Sequence, residues 1–295
     1  MGKNAKTKKD ATDIINEKIL AKIEEGELPW RKTWKGGYNL AINRKSKRPY
    51  ALINQIMLGL PGEWAPMKYW NEIGGKVKKG EHQSIIVEYM ECHGKRTVKN
   101  EEGEEVEETF KYRKPKFVGK YFHISQIEGV EPLEKDEIDM TGNEHKLPIE
   151  DVLQNYYQSE GIHVYDDDRA FYRPFDDTIH RPMKKQFKEI EEYIATLVHE
   201  TAHSTGSKKR LNRTFGEKFG DEKYSKEELV AEISTVYLMG LFGISTESCF
   251  DNSAAYIQGW LKPLQNDKKM FLSAASEAKK VMDYIMKYDK IEVNI

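Results

Sequence analysis

Cysteine is scarce in this 295-residue chain. Cys92 and Cys249 stand far apart, which argues against a disulfide framework and against a cysteine-rich metal site. Long apolar runs are missing as well. No stretch approaches the roughly 20 residues of a membrane-spanning helix, so no membrane partner is expected. The first ten residues carry Lys3, Lys6, Lys8 and Lys9 but no apolar core, so a secretory signal is not expected. Lys6 stands where a myristoylation signal after Met1-Gly2 wants Ser or Thr. No internal repeat is evident. Net charge, at −2, is close to nil. These absences together predict a cytoplasmic location.

What is present is unevenly spread. The length suits about two domains. Residues 1–80 hold 17 Lys and Arg against 8 Asp and Glu, whereas residues 121–160 hold 2 against 10. In the basic stretch, Trp30, Trp34, Tyr38, Tyr50, Trp64, Tyr69 and Trp70 alternate with Arg31, Lys32, Lys35, Arg44, Lys45, Lys47, Arg48 and Lys68. Rings can stack on unpaired bases and cations can follow phosphates, so this interleaving points to single-stranded nucleic acid. The competing reading packs several of these rings in a core.

The periodicity predicts a helix over Thr12–Glu25, with Ile15, Ile19, Leu20 and Ile23 as its apolar stripe. Short helices are expected around Ala51–Leu58 and Met67–Ile73, then a strand over Gln83–Met90. The acidic run Glu101–Glu108 reads as the solvated tip of a hairpin that returns through Phe110–Ile127.

The chemistry-bearing motif is His199-Glu200-Thr201-Ala202-His203, inside a segment with helical periodicity and no Gly or Pro. Residues four apart share one helix face, so both imidazoles can reach one ion. Glu200 can act as general base for a water that the ion polarises, the arrangement of a zinc peptidase. Gly206 follows as a plausible helix end. A metzincin would place a third His at position 209, and Lys209 stands there, so the third ligand must come from elsewhere. A second helix is expected over Ser225–Phe242. Ser225 and Glu228 have the spacing of a capping box, which gives Glu228 a structural task. Glu232 lies among Val230, Ala231, Ile233 and Val236 without one, so Glu232 is taken as third ligand ahead of Glu228. Two His and one Glu leave a position for water, as in a catalytic rather than a closed structural site. Zn2+ is the expected ion, with Mn2+ as the alternative.

Segments along nearly the whole chain resemble the ArdC family of antirestriction proteins from conjugative plasmids and other mobile elements. The matching residues in the first half are Leu28-Pro29-Trp30-Arg31-Lys32-Thr33-Trp34, Asn43, Pro49-Tyr50, Asn54, Gly74 to Glu81 and Tyr121 to Gly129. In the second half they are Ala170-Phe171-Tyr172, Asp177, Ile179, His199 to Gly206, Arg210-Leu211-Asn212-Arg213, Glu227 to Ile233 and Ala255-Tyr256-Ile257 with Trp260-Leu261. The resemblance implies an α+β protein of two domains: a mixed domain that binds single-stranded DNA without marked sequence preference, then a mostly helical zincin-like domain. The same N-terminal domain also occurs in plasmid DNA primases. Residues 1–9 are then a basic tail, 10–129 the DNA-binding domain, 130–145 a linker and 146–295 the metallopeptidase domain. The expected DNA contacts are Trp30, Arg31, Lys32, Trp34, Lys35, Arg44, Lys45, Lys47, Arg48, Tyr50, Lys76, Lys78 and Lys79. The function so implied is antirestriction. The alternative is a working metallopeptidase, brought to DNA, that cleaves a protein.

Overall fold

Helix α1 (Ala11–Glu24) buries Ile15, Ile19 and Ile23, the stripe that the periodicity marks out. It belongs to a computed structural model that describes residues 11–31, 40–99, 103–133, 148–215, 222–249 and 254–289. The basic tail and most of the expected linker lie outside these residues.

After a 3-10 turn at Pro29–Arg31 come β1 (Ala41–Asn43), α2 (Leu52–Leu58), β2 (Gly62–Pro66), α3 (Met67–Glu72) and β3 (Lys76–Val77). Two long strands follow, β4 (Ser84–Lys99) and β5 (Glu105–His123), then the short β6 (Ile127–Glu128). The main sheet has the order β1-β2-β5-β4, with β1 parallel to β2 and the remaining pairs antiparallel. The buried Asn54 docks α2 on this sheet, taking the Val87 amide at 2.7 Å and giving its own to the Val87 carbonyl at 3.0 Å. Gly59 ends α2 in the left-handed region at φ 70°, where a side chain would be strained.

Strand β4 runs well past the expected Met90. Half of the acidic run is strand rather than loop, because its carboxylates find cross-strand cations. Glu107 pairs with Lys95 at 2.8 Å and Glu108 with Arg96 at 2.7 Å.

The second half comprises α4 (Pro148–Glu160), β7 (His163–Asp166), β8 (Phe171–Arg173), β9 (Thr178–Arg181), α5 (Ile190–Ser204), α6 (Glu222–Leu241), α7 (Ala254–Gly259), α8 (Leu261–Asn266) and α9 (Met270–Ile285). A small sheet of order β7-β9-β8 lies beside a packed set of α5, α6 and α9. The protein is therefore α+β in two domains, a mixed-sheet half and a helical half. One apolar core runs between them: Ile19, Trp30, Leu52 and Val87 share a cluster with Ile194, Leu229, Leu238 and Phe271. No helix among the described residues is long and apolar enough to cross a membrane.

Candidate metal centre and nucleic-acid surface

Helix α5 is anchored by Ile190, Ile194, Leu197 and Val198, all buried, which fixes the rotation of its next turn. His199 and His203 then project together. Their Nε2 atoms lie 3.2 Å apart, too close for two bare lone pairs without a proton or cation between them. Glu228 of α6 completes the group, one oxygen 3.6 Å from His199 Nε2 and the other 3.5 Å from His203 Nε2. All three donors fall within 4.8 Å of one another. Two imidazole nitrogens and one carboxylate converging on a point are a donor set that a divalent ion satisfies.

The carboxylate in this group is Glu228 and not the expected Glu232. Helix α6 begins at Glu222, so Ser225 lies inside it and caps nothing; the structural task assigned to Glu228 does not exist. Glu232 is buried as its surroundings suggested, but its partners are distant in sequence. Trp30 Nε1 donates to it at 2.9 Å and the Tyr256 hydroxyl donates to its other oxygen.

A supporting layer holds the group. His203 gives its Nδ1 proton to Glu227 at 3.2 Å, which directs its Nε2 lone pair toward His199 and Glu228. Arg213 grips both oxygens of Glu227 at 2.9 and 2.8 Å and also donates to Thr205 Oγ1 and the Ala202 carbonyl. Gly206 permits this approach, since a Cβ there would meet Phe215 at 2.7 Å and Arg213 at 3.1 Å. Arg210, with a fully buried side chain, forks onto Asp177 at 2.8 Å twice and reaches Glu160 at 3.0 Å.

Burial would push the Glu227 and Glu228 carboxyls up. Hydrogen bonds from His203 and Arg213 to the first, and the His199 and His203 imidazoles close to the second, outweigh burial and hold both below the usual carboxylate range. Burial likewise presses His199 down, yet Glu228 beside it and the neighbouring carboxylates leave it raised. The donors open into a cleft of about 360 Å³ lined by Glu200, Phe171, Tyr172, Phe215 and Tyr224. Glu200 thus lies at the same cleft as the ligand group. Burial and the Glu228 charge push the Tyr224 hydroxyl up to about 12. Nothing in the sequence singles out Glu227, Arg213 and Tyr224, although Glu227 and Arg213 both fall in the family-like runs.

The expected DNA contacts separate into groups. Lys45, Lys47, Arg48, Lys76, Lys78 and Lys79 are exposed. Lys45 lies 5.8 Å above the Tyr69 ring, and Lys78 donates to the Ser125 carbonyl at 2.7 Å. Arg44 is largely covered and paired with the buried Glu63. Trp30 and Tyr50 are buried and offer no face to a base: Trp30 packs on Trp260 and Phe271, and Tyr50 on Tyr121. Trp64 and Trp70 are buried too. Lys32, Trp34 and Lys35, together with the side chain of Arg31, lie outside the described residues.

Residues 9–120 match the family model for the N-terminal domain of the anti-restriction factor ArdC, and residues 151–277 that of a zincin-like metallopeptidase. Among solved structures, the metal-free antirestriction protein ArdC from the R388 plasmid shares 31% identity with a TM-score of 0.69, over 95% of this chain and 98% of that one. Its Mn(II)-bound structure gives 30% and 0.68, over 96% and 100%. The DNA primase TraC of Escherichia coli is 31% identical over 98% of this chain, which spans only 28% of that primase's length.

Proposed function

Because the chain belongs to the ArdC family of antirestriction proteins, we propose that it shields incoming DNA from restriction by binding single strands without sequence preference. The same reading gives its zincin-like half a divalent ion held by His199, His203 and Glu228. The observation that carries it is the run of likeness to ArdC through both halves of the chain, with the three donor groups gathered in the second. A mixed set of two nitrogens and a carboxylate suits Zn2+ and also accepts Mn2+. When bound, such an ion supplies a Lewis acid that acidifies water. Glu200, at the same cleft, would accept the proton released.

A second reading, a metallopeptidase that cleaves a protein at DNA, is favoured by Glu200 and by the Glu227–Arg213 support of His203. Phosphate contacts and stacking need no activated water, so the two readings separate on one residue. The test is plasmid transfer into restricting and non-restricting recipients, with binding to single strands measured on the same variants. Under the protective reading E200A keeps protection, while reversing the charge of the exposed Lys45, Lys47 and Arg48 weakens it. Loss of protection in an E200A protein that binds DNA normally would transfer the case to proteolysis.

A further inference from the structure

Beyond Val87 and Phe117, β4 and β5 leave the sheet and continue as a two-stranded ribbon, paired from Glu88↔Lys116 to Lys99↔Glu105. Cross-strand partners share a face, so Met90, Cys92, Gly94 and Arg96 lie with Lys114, Tyr112, Phe110 and Glu108 on one side. This side carries a thioether and two rings in water: Met90 is 43% exposed, Phe110 37% and Tyr112 44%. Counting Tyr89 and Val106, the ribbon holds five of the ten exposed large apolar side chains among the described residues, so apolar exposure is concentrated here. An isolated ribbon has no core to justify these rings, and such concentration marks a binding surface.

Two details define what the surface fits. Phe110 leans across Gly94, where a Cβ would come within 2.7 Å of the ring, so glycine lets it lie against the backbone. Tyr112 follows with its centroid 5.8 Å away, and Arg96 sits 5.6 Å from the Phe110 centroid. Part of the ribbon's charge is paired. Glu91, Glu107 and Glu108 are taken by Lys111, Lys95 and Arg96. Arg113, Lys114 and Lys116 form no ion pair among the described residues, and Lys114 and Lys116 share the face of the rings, Lys116 directly across from Glu88.

We propose that this face, built on Phe110, Tyr112, Lys114 and Lys116, is a stacking platform for the unpaired bases of single-stranded DNA, with the two lysines on its phosphates. The proposal rests on the single-strand reading above and replaces the buried Trp30 and Tyr50 as the source of stacking. Duplex DNA keeps its bases engaged with each other and gains only the phosphate contacts, so the platform discriminates in favour of single strands.

The test uses the full chain and a fluorescein-labelled mixed-sequence 30-mer, followed by anisotropy at several salt concentrations. F110A/Y112A should weaken binding by about tenfold or more, given the worth of one stacked base per ring. K114E/K116E should weaken binding and lower the salt slope by about 1.4, the share of two phosphate contacts on a single strand. Y165A, which removes an exposed ring elsewhere, should bind like the wild type. F110W/Y112W should retain binding and show tryptophan quenching on adding the strand. Both side chains are exposed, so circular dichroism should show every variant folded. Failure of the wild type to bind the 30-mer would remove the single-strand reading itself. Normal wild-type binding with an unaffected F110A/Y112A would overturn the platform alone. So would an F110A/Y112A variant whose only change is a smaller sedimenting species, since the ribbon would then pair with a second copy.

Discussion

Replacing Trp30 by Phe keeps most of the ring and deletes one N–H, the one that donates to Glu232 at 2.9 Å. Glu232 is 3% exposed and Trp30 2%, so no water can take the donor's place without rearrangement. A hydrogen bond to a charged group contributes about 1.5–3 kcal/mol, and stripping one from a buried carboxylate costs the upper part of that range. The loss of the indole's second ring against Trp260 and Phe271 adds a smaller packing term. W30F should therefore lose about 2–3 kcal/mol, a substantial part of the ~5–15 kcal/mol of a typical domain. Urea unfolding followed by far-ultraviolet circular dichroism measures it. A double-mutant cycle with E232L, which removes the acceptor, should return a coupling of about 1 kcal/mol or more, because the two residues share one bond. A W30F protein within about 0.5 kcal/mol of the wild type, the scatter of surface changes, would refute the assignment of Glu232 to this network.

Metal titration separates the two glutamates one helical turn apart: saturating Zn2+ or Mn2+ should raise the melting temperature of the wild type and of E232Q but not of E228Q. At one hundred times the dissociation constant the expected gain is about 2.7 kcal/mol, and a response lost in E232Q but kept in E228Q would reverse the ligand assignment. The acid limb of stability should carry the mark of Asp177, whose carboxyl burial would raise but which the Arg210 fork and the Tyr172 hydroxyl hold below its usual value. A depressed pKa contributes stability that is complete above the unfolded value of about 3.9 and is lost as pH falls through the lower folded one. D177N should be less stable than the wild type at neutral pH, and the gap should close in strong acid. A gap that stays constant from neutrality into that range would remove Asp177 as its source.

The local half of this molecule was legible. Periodicity placed α1 within a residue of its observed ends, and the spacing of His199 and His203 put both rings on one face. What a sequence does not reveal are contacts with distant partners. Trp30 and Tyr50 look like free rings among cations because nothing nearby in sequence reveals Trp260, Phe271 or Tyr121. Glu232 looks like an orphaned carboxylate because its donors lie 202 residues before it and 24 after it. The reach of the hairpin is hidden in the sequence for a related reason. Its outer half buries nothing, so the apolar signal that announces a strand stops near Met90 while cross-strand pairing continues to Lys99.

The apolar cluster shared by α1, Trp30, α6 and α9 changes what can be cut or exchanged. Separating the halves near residue 130 would strip the first helix from the ones it covers. It would leave Trp260, Phe271 and Glu232 facing water on one fragment, and Ile15, Ile19 and Trp30 on the other. Each fragment would then present a sticky, partly charged scar instead of a finished surface. The two halves are thus expected to travel through recombination as one cassette.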